Sequence, residues 1–419
     1  MSRIALITAV HVACITASLA TAVKAFADTS AKILWIHADG GWDTTMVFDN
    51  KIGVTGVAQE SGAVAATGAG GITFVDHPSR PAVRSFFDNQ GGRAAIVNGI
   101  RTGSMSHEMA TRRMLGGANA GRFTDWLSWY VSNVPVSREF PHISIDAPYM
   151  PGALAANSLR LTSETIAARL AGLPSAATAL PTAAEDAITK HLALSWAEVT
   201  RASTTNGIDG EKSRAIITSV TKDSKLTTAL ANANTATFNA ADSQLLRHGK
   251  LVVELMKNNL VQAATIQAGP RRMFDTHSGN FNGQTSALNN LFAGLNGIIS
   301  AATTAGISSN LIIIVTSDLG RAPQLNSNGG KEHWPWTSAL IWGTGVRGGR
   351  VLGETDAALR GLLIDPIFGD IGGTQGVQLE MGNIMGALFL KQGIIARSII
   401  GDLKPLSALV GDTGNGGAP

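Results

Sequence analysis

Short apolar runs alternate with longer amphipathic segments along the chain. The clearest run is residues 311–315, five aliphatic residues without a polar break. A run this short and this rich in β-branched residues is typical of a strand buried on both faces, as in a parallel sheet. Similar runs predict strands at residues 32–38, 94–98, 263–268 and 339–342, and longer segments predict helices at 81–89, 108–115, 285–305 and 381–390. Such alternation favours an α/β fold.

The middle of the chain differs in composition from the rest. Residues 152–262 are rich in Ala, Thr, Leu and Ser, and no strand-like run occurs until their end. Helices are predicted there at residues 163–171, 183–200 and 244–258. We interpret this stretch as a helical insertion within a domain of residues 28–410, and residues 411–419 as a flexible, Gly-rich tail. A chain of 419 residues that is 44% hydrophobic is long enough for this arrangement or for two domains.

The N-terminus has the pattern of a secretory signal. Arg3 precedes an apolar, Ala-rich segment, and Ala25-Phe26-Ala27 is a small-residue cleavage motif before Asp28. Residues 1–27 therefore predict a secreted or periplasmic protein with no membrane span after signal removal. A membrane anchor is the rival interpretation. A lipoprotein site at Cys14 is a further alternative, although His11 stands where such a site needs an aliphatic residue.

Charge and cysteine content exclude some functions. The formal net charge is +3, and Arg3 and Lys24 of the predicted signal contribute two of these charges, so the mature chain is almost neutral. No basic run with interleaved aromatic residues occurs, which argues against nucleic acid as a partner. The single cysteine lies in the signal, so the mature chain has neither disulfides nor thiolate chemistry.

Acids and histidines follow or precede several of the predicted strands. Ligands of open α/β sheets bind just beyond the carboxyl ends of strands. Asp318 ends the run at 311–315, and His333 lies before the run at 339–342, so we predict that the two share one site. The candidate metal ligands are Asp39, Asp43, Asp275, His277, Asp318 and His333. Carboxylates and imidazoles suit a divalent cation such as Zn²⁺, Mn²⁺, Mg²⁺ or Ca²⁺. Taken alone, each motif is also compatible with a solvent-facing turn.

Ser106 is predicted at the start of the helix that ends at Gly116. The free N–H groups and the dipole of a helix N-terminus favour an anion, so this serine is a candidate nucleophile. Serine is also a preferred capping residue, and a purely structural role is the alternative. His107, the next residue, is either a general acid or a histidine packed on the helix.

Several motifs together resemble the domain-of-unknown-function 1501 family, secreted bacterial proteins of the alkaline phosphatase and sulfatase superfamily. They are Asp39-Gly-Gly-Trp-Asp43, Asp275-Thr-His277, Ser317-Asp-Leu-Gly-Arg-Ala-Pro323, Glu332-His-Trp-Pro335 and the stretch of residues 345–356. The likeness is strongest over residues 263–356, fair over 33–117 and poor between them. It implies an alkaline-phosphatase-like three-layer sandwich, with a mostly parallel sheet between helices.

The resemblance also implies an order of site residues. It corresponds here to Asp39 or Asp43, then Ser106 as nucleophile, then Asp275 with His277, then Asp318, and finally His333. Arg321, with Arg101 and Arg112 as alternatives, would clamp the substrate's free oxygens, and Ser104 and Thr102 are rival nucleophiles. Leu319 departs from the pattern, because phosphatases and sulfatases usually have histidine there.

The combined interpretation is a secreted, metal-dependent hydrolase of phosphate or sulfate esters, acting on a small-molecule or glycan ester. The alternative is a non-catalytic, phosphatase-like scaffold that binds a ligand or a cell-envelope partner, which Leu319 favours. A metal-dependent isomerase or mutase is a third class, but secretion argues against it. The sequence leaves the substrate, the metal and the oligomeric state open.

Overall fold

A computed structural model describes residues 31–116, 124–170, 191, 194–195, 197–204, 226, 228, 241–372 and 376–411. The chain forms two compact units, one of residues 1–160 with 241–419 and one of residues 161–240. The second unit begins and ends inside the predicted insertion of residues 152–262. The predicted signal of residues 1–27 lies outside the described residues. Among the described helices, none combines the length and the apolar character that crossing a membrane requires.

The described strands and helices follow the alternation seen in the sequence. The strands are β1 (Lys32–Ala38), β2 (Val64–Thr67), β3 (Thr73–Asp76), β4 (Ala94–Arg101), β5 (Phe140–Ile145), β6 (Ser158–Leu161), β7 (Val261–Gln267), β8 (Leu311–Ser317), β9 (Gly320–Arg321), β10 (His333–Trp334), β11 (Trp336–Gly343) and β12 (Arg350–Leu352). The helices are α1 (Pro81–Gln90), α2 (His107–Leu115), α3 (Trp126–Asn133), α4 (Ser163–Leu170), α5 (Gln244–Lys257), α6 (Asn280–Thr304), α7 (Met381–Lys391) and α8 (Arg397–Ile400). Helix α4 belongs to the second unit, whose described residues are also helical between 197 and 203.

A mostly parallel sheet forms the centre of the first unit. Within the described residues its strand order is β12-β4-β11-β8-β1-β7-β5-β6. Strand β1 is parallel to both β7 and β8, β5 is parallel to β7, and β12 is parallel to β4. Strand β11 is the exception, because it runs antiparallel to both β4 and β8. The carboxyl ends of β1, β4, β7 and β8 therefore lie at one edge of the sheet, together with the start of β11.

Helices cover both faces of this sheet. On one face, alternate strand residues such as Ile33, Trp35 and Ile314 share an apolar cluster with residues of α2, α3, α7 and α8. The intervening residues, such as Leu34 and Ile313, point to the opposite face because strand side chains alternate, and they are fully buried. Helices α1 and α5 both pack on α6, and α5 also contacts β7. The predicted α/β class, with a mostly parallel sheet between helices, is confirmed.

Candidate metal centre

The sheet topology brings the predicted site residues to one edge. Asp39 follows β1 and Asp318 follows β8, and these strands end side by side because Ala38 pairs with Ser317. The loop after β7 carries Asp275 and His277. Strand β10 pairs with β9, where His333 lies opposite Arg321. Strand β4 ends at Arg101, and its continuation leads to helix α2, which begins at His107.

Asp275 lies at the centre of a group of imidazoles. Its Oδ1 is 3.1 Å from Nε2 of His277 and 3.2 Å from Nε2 of His333. The two Nε2 atoms are 3.0 Å from each other. On the other side of the carboxylate, Oδ2 is 3.3 Å from Nε2 of His107. Three Nε2 atoms therefore converge on a single carboxylate.

Outer hydrogen bonds fix the tautomer of each of these rings. Nδ1 of His333 donates to the carbonyl oxygen of Met105 at 2.8 Å, and Nδ1 of His277 donates to Oε2 of Glu332 at 3.0 Å. Nδ1 of His107 donates to Oδ2 of Asp318 at 2.6 Å. Because each acceptor is an oxygen without a proton, each Nδ1 carries the hydrogen, and the lone pair of the neutral ring lies on Nε2.

This donor set fits a bound cation. With neutral rings, the Nε2 lone pairs of His277 and His333 face one another and face the Asp275 carboxylate, which is repulsive unless a positive charge lies between them. Nε2 of His107 is buried and makes no hydrogen bond among the described residues. Zn²⁺ bonds of about 2.0–2.1 Å in a tetrahedral shell set neighbouring ligands about 3.3 Å apart, close to the separations seen here. The ligand atoms of His107, Asp275 and His333 all lie within 4.8 Å of one another.

A second such group shares His107. The ligand atoms of Asp39, His107 and Asp318 also lie within 4.8 Å of one another. Oδ1 of Asp318 accepts the Gly40 N–H at 3.0 Å, while its Oδ2 faces His107. One oxygen of Asp39, Oδ2, accepts the N–H of Arg272 at 3.0 Å. This second group has two carboxylates and one imidazole. Nδ1 of His107, the ring nitrogen that faces Asp318, carries a proton and so has no lone pair for a cation.

The local charges keep the two carboxylates ionised. Partial burial raises the pKa of Asp275, but the hydrogen bond from Arg321 and the positive charge of Arg321 lower it, and the pKa falls to about 2. Burial also raises the pKa of Asp318, and the hydrogen bond with His107 and the nearby histidine charges overcome that, so this pKa is lowered as well. Burial lowers the pKa of His107, whereas Asp318 and Asp275 raise it, and the net shift is upward.

A glycine allows the two acidic loops to approach each other. Gly40 has φ +115°, and a Cβ there would lie 2.6 Å from the backbone nitrogen of Asp275. Any other residue would therefore push the Asp39 loop away from the Asp275 loop. The predicted Asp-Gly-Gly turn therefore has a packing function at Gly40.

Arg321 is built into the site rather than exposed to a substrate. Its side chain is fully buried, and its guanidinium donates to the carbonyl oxygens of Gly40, Gly41, Phe274 and Lys331. It also donates to Oδ1 of Asp275 at 2.7 Å. The role predicted for Arg321, clamping substrate oxygens, does not fit this environment. The contacts instead assign it to joining three loops and orienting the Asp275 carboxylate.

Asp43 is not brought into either group. Its Oδ2 is 2.7 Å from Nζ of Lys331, and both side chains are fully buried. The same oxygen accepts from Asn280, and Oδ1 accepts from the backbone and hydroxyl of Thr45. These partners use the oxygens that a cation would need. Of the six predicted ligands, Asp275 and His333 lie in the first group and Asp39 and Asp318 in the second. His277 lies beside Asp275, and Asp43 is left in a separate ion pair.

Ser106 lies at the N-cap of α2, directly before His107. It is exposed, and its side chain makes no capping hydrogen bond. The residue before it, Met105, gives its carbonyl to His333. The rival nucleophiles have local partners, since Oγ of Ser104 accepts the Ser106 N–H at 3.0 Å and buried Thr102 donates to the Ser104 carbonyl. Of the three candidate hydroxyls in this loop, that of Ser106 is the one without a hydrogen-bond partner among the described residues.

His37, the last but one residue of β1, was not among the site residues predicted from the sequence. Its side chain is 1% exposed, and neither ring nitrogen has a hydrogen-bond partner among the described residues. Burial lowers its pKa, against the raising effect of Asp318 and Asp39. It lines a cavity with Asp39 and His107. Its position at the carboxyl end of an apolar strand, two residues before Asp39, was the available signal.

Fold and site together define an α/β protein with a histidine-rich candidate metal centre at a sheet edge. The family model described as "Protein of unknown function (DUF1501)" matches residues 198–362, a stretch that contains Asp275, His277, Asp318 and His333. The match confirms the resemblance seen in the motifs over that stretch. None of the curated proteins matches the sequence.

Solved structures of low sequence identity also align with the chain. The phosphonate monoester hydrolase of Agrobacterium radiobacter is 10% identical, with 90% of this chain and 78% of that chain covered and a TM-score of 0.38. The lipoteichoic acid synthase LtaP from Listeria monocytogenes is 8% identical, with 85% and 76% covered and a TM-score of 0.37. The alkaline phosphatase from the Antarctic bacterium TAB5 is 10% identical, with 77% and 94% covered and a TM-score of 0.31.

Proposed function

We propose that the chain is a metal-dependent hydrolase of phosphate or sulfate esters, secreted or periplasmic through the signal predicted at residues 1–27. The observation that supports the proposal most is the convergence of three imidazole Nε2 atoms on the Asp275 carboxylate. The ring nitrogens of structural histidines normally have hydrogen-bond partners, whereas here three Nε2 atoms face the two oxygens of one carboxylate.

The ligands would be His107, Asp275 and His333, whose ligand atoms all lie within 4.8 Å of one another, with His277 beside Asp275 as the fourth. Imidazole-rich sets of this kind suit Zn²⁺ or Mn²⁺ better than Mg²⁺ or Ca²⁺, which prefer oxygen. When bound, the cation would supply Lewis acidity that polarises an ester oxygen and favours ionisation of a neighbouring hydroxyl. Glu332, Met105 and Asp318 would hold the imidazoles in the required tautomer.

His107 is a ligand that the family pattern did not predict. The resemblance expects an imidazole at position 319, and Leu319 is fully buried there. His107 reaches the site from helix α2 instead and lies between Asp275 and Asp318. We infer that it supplies the imidazole that Leu319 lacks, so the earlier interpretation of His107 as a general acid is replaced by one of metal binding.

Ser106 would act as the nucleophile. Its Oγ attacks phosphorus or sulfur, a bond forms to the serine oxygen, and the ester bond to the leaving alcohol breaks. Water then hydrolyses the seryl ester, which releases phosphate or sulfate and restores the hydroxyl. The exposed N–H groups at the start of α2 would stabilise the negative charge on the transferred group.

A metal-dependence assay tests this function. The chain from residue 28 onward is stripped with a chelator, reloaded separately with Zn²⁺, Mn²⁺, Mg²⁺ or Ca²⁺, and assayed on 4-nitrophenyl phosphate and 4-nitrophenyl sulfate. We expect hydrolysis of at least one ester that chelation abolishes and reloading restores, and no hydrolysis by His333→Ala with any of the four ions. Hydrolysis that survives chelation would contradict the proposal. A fully loaded protein that hydrolyses neither ester would favour the non-catalytic scaffold.

A further inference from the structure

Two adjoining cavities extend from the candidate metal centre. The first, of about 350 Å³, is lined at one end by His37, Asp39 and His107. The second, of about 540 Å³, shares Asp39, Pro148 and Arg271 with the first. Because they share these lining residues, the cavities adjoin one another, and we treat them together as one groove beside the site.

Arginines outnumber acids in the lining of this groove. The lining includes Arg112, Arg160, Arg271 and Arg272, and we call the groove the arginine cleft. It also includes the carboxylates of Asp39, Glu108 and Asp146. Glu108 pairs with Arg112, so that arginine is neutralised within the cleft. Four guanidinium groups and three carboxylates leave the cleft with a net positive charge.

Arg160 and Arg271 are the free cations of the cleft. Both are exposed, and no ion pair or side-chain hydrogen bond ties either of them to another of the described residues. Arg271 lines both cavities, so it is the arginine at their junction. A guanidinium with free N–H groups is suited to bidentate binding of a phosphate or sulfate group.

Arg271 is held in register with the metal centre. The next residue, Arg272, has φ +58° and donates its N–H to Oδ2 of Asp39. The N–H of Phe274 donates to the Asp39 carbonyl oxygen at 3.2 Å. The loop that carries Arg271 is thus fastened to Asp39, which fixes the backbone of Arg271 relative to the candidate metal centre.

We propose that the arginine cleft binds a second anionic group of the substrate, so that the preferred substrates are esters with at least two phosphate or sulfate groups. One group would occupy the metal centre while Arg271, assisted by Arg160, binds the other. The inference rests on the proposed hydrolase function for its first group. The binding of the second group does not require turnover and is measured separately.

Binding of matched anion pairs tests the proposal. The metal-loaded Ser106→Ala protein is titrated calorimetrically, at about 0.15 M salt, with fructose 6-phosphate and fructose 1,6-bisphosphate, and with a monosulfated and a trisulfated heparin disaccharide. We expect the extra group to tighten binding by about tenfold or more in at least one pair. The phosphate pair and the sulfate pair distinguish the two ester classes, since the pair that shows the gain identifies the second group.

Variants distinguish the contribution of the arginine cleft to ligand affinity from that of the metal centre. Arg271→Gln is expected to remove most of the gain from the second group while changing the affinity for the single-group ligand less than about twofold. Arg397→Gln, which alters an arginine outside the cleft that is 84% exposed, is the matched control and should retain the gain. Equal affinity for both members of each pair, or an equal loss for both in Arg271→Gln, would overturn the proposal. A gain that depends on Arg271 in a protein with no hydrolase activity would support the cleft and refute only the hydrolase.

Discussion

Replacing Ser106 by alanine is expected to lower the turnover of ester substrates by at least about 10³-fold, because the variant lacks the attacking oxygen. The fold should persist. The Ser106 side chain makes no capping hydrogen bond, so its removal costs less than the roughly 1 kcal/mol typical of a capping serine. Metal content should also be unchanged, because none of the proposed ligands is altered. Turnover, metal content and thermal unfolding are measured on the same preparation.

Ser104→Ala is the matched control for this prediction. It removes a hydroxyl two residues away in the same loop, and that hydroxyl accepts the Ser106 N–H at 3.0 Å. We expect a modest loss of turnover, because the loop loses one hydrogen bond and keeps its nucleophile. Full activity in Ser106→Ala, or an equal loss in both variants, would contradict the assignment of Ser106 as nucleophile.

Replacing Lys331 by methionine is expected to lower the free energy of unfolding by about 3–5 kcal/mol. The ammonium group is 2.7 Å from Asp43 inside a fully buried pair, and its removal leaves a buried carboxylate without its cation. Urea unfolding followed by circular dichroism measures the change. The double variant Lys331→Met/Asp43→Asn should recover part of the loss, since it removes the unpaired charge.

An exposed ion pair serves as the control for the loss of the buried pair between Lys331 and Asp43. Arg84 and Asp88 are about half exposed and lie four residues apart on helix α1, so Arg84→Met should cost no more than about 0.5 kcal/mol. A loss below about 1 kcal/mol in Lys331→Met would show that Asp43 does not depend on Lys331. The metal content of the single variant Asp43→Asn is measured as well, and it should equal that of the unmodified protein because Asp43 is a structural residue.

The sequence predicted the central strands well because their apolar runs are uninterrupted. Strand β1 has the predicted bounds, and β8 begins at the predicted Leu311. Once adjacent parallel strands are predicted, the acids that follow them, Asp39 and Asp318, are expected at the same sheet edge. The apolar pattern of the two strands was therefore sufficient to predict where Asp39 and Asp318 lie.

Other parts of the site depend on contacts between distant segments. The pairing of Asp43 with Lys331, the burial of Arg321 among four carbonyl groups and the place of His107 between two carboxylates all join loops that are remote in sequence. Hydrophobic periodicity does not encode such contacts. An acid after a strand has the same pattern whether it binds a cation or a buried lysine, so Asp39 and Asp43 were indistinguishable in the sequence.

The most direct test of the account is the metal content of the purified chain from residue 28 onward, beside its His333→Ala and His277→Ala variants. The exposed Asp88→Asn variant is the control, and circular dichroism establishes that each protein is folded. We expect about one equivalent of Zn or Mn in the unmodified protein and in the control, and little or none in either histidine variant. No metal in the unmodified protein after reloading, or equal metal in all four proteins, would contradict the claim that these imidazoles and Asp275 form a metal centre.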